Sequence, residues 1–327
     1  MTLQMLNKEL YQAWDHYELE EISDIKSISG GLINESFLVV CEEKNVYIIQ
    51  KLRKIFSHDL MTDIDVIAGH LEEEGWKCPR PLKTKENMNF ALVDSDIWRV
   101  YKYILGNDFS STSFGEKTYF NIGNLLGLFH RSLASLSYAP LHKIEGFHDK
   151  IFYINKALSI KRSYYPIKLQ PILDEIIEKL ERSSKVITSL KQLIHGDPRV
   201  ENILFSPKGK PFTFIDYDTF MFGSIYIDIG DCLRSLMSLK DDSTLSYRFR
   251  EFVSGYCVGN HKAMVDGSSA LSALKYVTLE LTLRFLIDSV EQNYFSWDPE
   301  LYETSSDHNK DRARQSWDLF KKISQEL

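Results

Sequence analysis

The chain has 327 residues, 43% hydrophobic and 26% charged, a composition that excludes disorder or low complexity as its main character and, at this length, favours two lobes with a site in the crevice between them. Its 39 basic residues against 46 acidic ones leave a net charge of −7, which opposes docking on nucleic acid or anionic membrane. Four widely separated cysteines without a paired spacing predict neither a disulfide framework nor a zinc site, and the N-terminus lacks the basic and apolar regions of an export signal, so a cytoplasmic monomer is expected.

From Ile22 to Ile104 short apolar runs alternate with polar turns: Ile22–Ile28, Ser36–Val40, Val46–Leu52, Phe90–Asp94 and Ile97–Ile104. Such runs with hairpin-length gaps predict an antiparallel sheet. One segment interrupts it, where Leu60, Ile64, Ile67 and Leu71 recur at helical spacing; a helix capped by Ser57 and stopped at Gly75 is expected. After Gly106 helical periodicity dominates, in Phe120–Leu136, Ile151–Ile194, Leu271–Val290 and Asn309–Ile323. Between these lies a β-like island over Leu193–Gly223, with a Pro-Lys-Gly-Lys turn joining Ile203–Phe205 to Phe212–Asp216. The division predicted is a small sheet lobe over residues 1–104 and a large helical lobe over 105–327.

The island carries His195, Gly196 and Asp197, then Asn202 five positions after the aspartate, and Asp216 directly after an apolar run. Phosphoryl transfer from a nucleotide needs a carboxylate to orient the acceptor hydroxyl, and an amide oxygen with a second carboxylate to hold magnesium against the phosphates. An Asp followed five residues later by Asn, with another Asp at the end of the next strand, is the spacing of a kinase catalytic loop and its metal-binding aspartate.

With the stretches 195–205, 215–235 and 141–149, the sequence resembles the aminoglycoside phosphotransferase and choline kinase superfamily, and within it is most similar to the N-acetylhexosamine 1-kinases. The resemblance implies an α+β, protein-kinase-like two-lobe fold, with an antiparallel-sheet N-lobe and a mainly helical C-lobe. It implies transfer of the ATP γ-phosphate to a sugar hydroxyl, typically the anomeric one, with Asp197 as base and Asn202 and Asp216 on magnesium. For the acceptor it points to Thr219 and Arg284.

Other assignments stay open between two readings. Asp218 joins a second magnesium or braces its loop. Asp228 and Asp231 open the next helix, where carboxylates complement free amides, or Asp228 preorganises the catalytic loop. Gly30 and Gly31, with Asn34 after them, are candidates to close over the nucleotide phosphates. On the third strand Gln50 occupies the place where kinases carry a lysine; Lys51, with Asp63 as acidic partner, is the candidate cation. Adenine is expected at Tyr103 to Leu105. Arg284 is a salt-bridged core residue or a donor fork for sugar oxygens, and Tyr294, Phe295 and Trp297 stack on a sugar or pack a helix end. An amino alcohol or an aminoglycoside is the alternative acceptor, and a nucleotide-binding scaffold without turnover the alternative class.

Overall fold

The computed structural model describes residues 3–28, 34–112, 115–183 and 189–327. The chain forms two compact units: residues 1–105, 138–144 and 215–220 make the first, and 106–137, 145–214 and 221–327 the second. Two short returns, 138–144 and the segment with Asp216 and Asp218, therefore belong to the first unit, although they follow residue 105 in the sequence.

In the first unit α1 (Leu3–Trp14) precedes β1 (Ile22–Ile28), β2 (Glu35–Cys41) and β3 (Val46–Lys51); α2 (Asp59–Glu73) follows, then β4 (Ala91–Val93) and β5 (Asp96–Lys102). The sheet order is β1-β2-β3-β5-β4, antiparallel throughout. Period-two alternation sends Phe37, Val39, Tyr47, Ile49, Trp98 and Val100 to one face, where Leu10, Ala13 and Trp14 of α1 close a core. The intervening residues Ser36, Gln50 and Arg99 are register partners across β2, β3 and β5 and so line the opposite face. The sequence places a helix correctly at α2, whose Leu60, Ile64, Ile67 and Leu71 are buried. Its start differs: His58 is the cap residue, without a side-chain bond, and Ser57 instead contacts His142 Nδ1 at 3.1 Å. Gly75, at φ +89°, ends it as expected.

The second unit contains α3 (Thr118–Leu133), α4 (Lys150–Ser159), α5 (Gln170–Glu181), β6 (Lys191–Ile194), β7 (Ile203–Phe205), β8 (Pro211–Phe214), β9 (Met221–Ser224), α6 (Ile225–Met237), α7 (Leu245–Gly259), α8 (Gly267–Glu291) and α9 (Ser305–Glu326). β7 and β8 are the expected hairpin, closed by Gly209 at φ +72°. The end of the predicted helical stretch 151–194 is instead strand β6, which pairs with β9; its Leu193 and Ile194 are too few to distinguish helix from strand by period. Helices α4, α5, α8 and α9 share an apolar core that includes Leu173, Ile176, Leu283, Leu286 and Trp317. α3 and α7 approach much more closely: a methyl group on Gly123 would lie 2.0 Å from the Phe252 carbonyl oxygen, and one on Gly255 2.0 Å from that of Phe120. Among the described residues no helix is long and apolar enough to cross a membrane.

Candidate active site

The catalytic loop is held from beneath by a buried carboxylate. Asp228, in the first turn of α6 and fully buried, accepts from the His195 amide at 2.8 Å, the Gly196 amide at 2.9 Å and His130 Nε2 at 2.9 Å. With the His130 proton on Nε2, Tyr256 donates to Nδ1 at 2.7 Å. Ser224, not either aspartate, caps α6 by accepting from the Tyr226 amide. Asp231 does not cap it either: it takes Arg234 Nε at 2.8 Å. The capping role expected of Asp228 and Asp231 is thus replaced, for Asp228, by preorganisation of the loop. Gly196 sits at φ +87°, a conformation open to glycine at no steric cost, which turns the chain so that Asp197 follows.

Asp197 keeps a partly exposed carboxylate, with Arg199 Nε at 3.5 Å from Oδ2. Asn202 donates from Nδ2 to the Asp197 carbonyl at 2.9 Å and to its Oδ2 at 3.3 Å. That orientation commits the amide nitrogen and leaves the amide oxygen for a cation, the donor that magnesium prefers. Asp216, two residues after β8, lies in the left-handed region at φ 65°, a strained setting that persists only where surrounding contacts fix it. Among the described residues no group of three or more His, Cys, Asp or Glu is gathered for a metal.

Asp218 is buried, and its oxygens accept from Arg99 Nη1 at 2.5 Å, Arg99 Nη2 at 2.8 Å and Asn34 Nδ2 at 2.7 Å. It braces its loop. Asn34 is engaged in the same contact, and its Oδ1 accepts the Arg53 amide at 3.2 Å. Lys51 lies on the other side of β3, where its ammonium meets Glu9 at 2.6 Å and Asp96 at 2.7 Å. Alternation on the strand therefore removes it from the face that carries Asp218. Asp63 is not its partner: that carboxylate accepts from the Tyr138 hydroxyl and the amides of Leu141 and His142. Gly30 and Gly31 lie outside the described residues. The Tyr103 amide donates to the Val46 carbonyl, and Leu105 is 81% exposed. Thr219 is buried in a short turn after Asp216.

In the second unit Arg284, projecting from α8, is caged by Phe147, Tyr153, Tyr294 and Phe295, with its guanidinium 5.2–5.5 Å from each ring centre. It donates to the Tyr294 hydroxyl at 3.0 Å and stands 4.0 Å from Glu280 Oε1. Burial works against its charge, but Tyr153, Tyr294, Glu280 and Asp197 together raise its pKa. Trp297 is 37% exposed and not one of the cage rings. Two members escaped sequence reasoning. Glu280, 1% exposed, has an Oε1 without a hydrogen bond among the described residues. Its Oε2 meets His148 Nδ1 at 3.2 Å, and His148 Nε2 donates to the Gly196 carbonyl at 2.8 Å, beside Asp197. A buried Glu one helical turn before Arg284 is the signal that was available.

This fold and this loop define a kinase-like phosphotransferase. The chain belongs to the phosphotransferase enzyme family, whose model matches residues 24–259, and it is an enzyme that phosphorylates an alcohol group. It is similar in fold to amicoumacin kinase hAmiN, solved in complex with AMP-PNP, Ca2+ and Ami, at 15% identity over 98% of this chain and 94% of that one, TM-score 0.67. It is also similar to the spectinomycin phosphotransferase APH(9)-Ia, solved with ADP and spectinomycin (17%, 98% and 94%, TM-score 0.64), and to a microcompartment-associated aminopropanol kinase (16%, 98% and 98%, TM-score 0.66).

Proposed function

We propose that this phosphotransferase is an ATP- and magnesium-dependent kinase of a sugar, a hexose or N-acetylhexosamine, acting at the anomeric hydroxyl. Asp197 accepts the hydroxyl proton as the new oxygen–phosphorus bond forms; the bond from the γ-phosphorus to the β–γ bridging oxygen breaks, and ADP leaves with that electron pair. Asn202 and Asp216 are the residues that would hold magnesium, which when bound would supply charge neutralisation on the transferred group. Asp228 fixes the loop through two backbone amides, so that Asp197 needs no reorganisation when the acceptor arrives.

The observation that carries the sugar reading is the pairing of Arg284 with Glu280 beside the catalytic loop. Neighbouring hydroxyls of a neutral sugar donate to a carboxylate and accept from a guanidinium; Glu280 is buried with its Oε1 lacking a hydrogen bond among the described residues, and Arg284, its side chain 10% exposed, donates to the Tyr294 hydroxyl. The aromatic cage adds apolar faces of the kind that pack on sugar rings. A polycationic acceptor is disfavoured by the positive charge of this guanidinium near the catalytic loop. The open Glu280 oxygen favours a second reading, an amino alcohol whose ammonium it would pair. A panel of hexoses, N-acetylhexosamines, amino alcohols and aminoglycosides with ATP and magnesium, read as ADP release, separates them: sugars alone should exceed the acceptor-free rate, and turnover of an amino alcohol alone would establish the second reading.

A further inference from the structure

The face of the five-stranded sheet opposite α1 carries a row of polar side chains, Ser36, Gln50 and Arg99. Gln50 donates to Ser36 Oγ at 2.8 Å; Arg99 gives Nε and Nη2 to Gln50 Oε1 at 2.9 and 2.8 Å and both terminal nitrogens to the two oxygens of Asp218. Arg99 and Asp218 are 1% and 3% exposed. A charged pair this deeply buried persists only with near-complete hydrogen bonding, and the planar fork, which holds two carboxylate oxygens at once, provides it. Tyr101, two residues along β5, stacks its ring 5.0 Å from the guanidinium and limits its movement.

Asp218 is two residues from Asp216, in the turn Tyr217–Thr219 that follows it. We propose that Arg99 is a positioning residue for the metal carboxylate: by fixing both oxygens of Asp218 it immobilises the turn, and so holds Asp216 in its left-handed conformation and the orientation magnesium requires. The inference rests on the reading of Asp216 as a metal ligand. Arg99 is also close enough to Asp216 for that carboxylate to favour its charge, so the clamp and the metal site share one electrostatic environment. Gln50 has a defined part in it: a lysine at that position would place a second cation beside the guanidinium, whereas the amide oxygen accepts two of its N–H groups.

The test compares the parent with Arg99→Gln and Asp218→Asn in two measurements, the magnesium concentration giving half-maximal rate at fixed ATP and the calorimetric affinity for ADP without metal. Both substitutions should raise the magnesium requirement about tenfold, the range for groups that orient a metal ligand, and leave metal-free ADP affinity at the parent value. Arg99→Lys keeps the buried charge and so the fold, but a single ammonium cannot hold both oxygens; it too should raise the requirement. A parent-like magnesium requirement in folded Arg99→Lys would overturn the proposal, whether or not Asp218→Asn raises it, since Asp218 would then act without the clamp. A fall in metal-free ADP affinity would also overturn it, because Arg99 would then contact phosphate directly. A parent enzyme whose ATP turnover does not depend on magnesium would instead remove the metal reading on which the inference stands.

Discussion

In the proposed mechanism Asp197 acts on the acceptor and not on the nucleotide, so its removal should separate chemistry from binding. Asp197→Asn should leave ATP affinity near the parent value and lower kcat by about 10²–10⁴-fold, which single-turnover kinetics with an active acceptor would measure. His148 ties Glu280 to the catalytic loop by using both ring nitrogens, and the neutral ring has only one N–H to give. Burial opposes its charge, yet Glu280 prevails and its pKa lies above the ordinary 6.5. A raised folded-state value means that the stabilisation is fully present below pH 6.5 and is lost as pH rises through the folded pKa. Melting temperature should therefore fall from pH 6 to pH 9 more steeply in the parent than in His148→Gln, and parallel curves would remove His148 from the titration.

At the scale of elements, helices α3 and α7 are locked by glycines. Because the atoms opposing Gly123 and Gly255 are backbone carbonyls, no rotamer change can relieve a clash and the helices must separate. Gly255→Ala should lower stability by about 1–3 kcal/mol, read from chemical denaturation, whereas Gly75→Ala is a turn substitution that leaves this packing untouched. The sequence makes α2, α8 and the β7–β8 hairpin legible because each has a sustained period or a turn signal: Leu60, Ile64, Ile67 and Leu71 on one stripe, Gly209 at a hairpin tip. It includes Leu193 and Ile194 of β6 and Met221–Gly223 of β9 in the β-like island but does not reveal that these two strands pair with one another across the chain. The cap at Ser57 failed for a related reason, since its hydroxyl goes to His142, far away in sequence.

For the molecule as a whole, the catalytic loop was legible because local spacing encodes it: Asp197 and Asn202 directly precede the β7–β8 hairpin and Asp216 directly follows it. The charged pairs were not. Alternation on β3 showed that Gln50 and Lys51 face opposite ways, but only tertiary structure shows that Lys51 meets Glu9 and Asp96 while Arg99, on a different strand, meets Asp218. Likewise Asp228 reads as a helix-opening residue until His195 and Gly196 are seen above it. The central claim, an ATP-dependent kinase of a sugar's anomeric hydroxyl, is tested most directly by phosphorus NMR of the product formed by the purified enzyme with ATP, magnesium and a hexose or N-acetylhexosamine. The account predicts stoichiometric ADP and a sugar phosphate whose phosphorus couples to the anomeric proton; phosphate appearing only on an amino alcohol or aminoglycoside, or no phosphorylated acceptor at all, would contradict it.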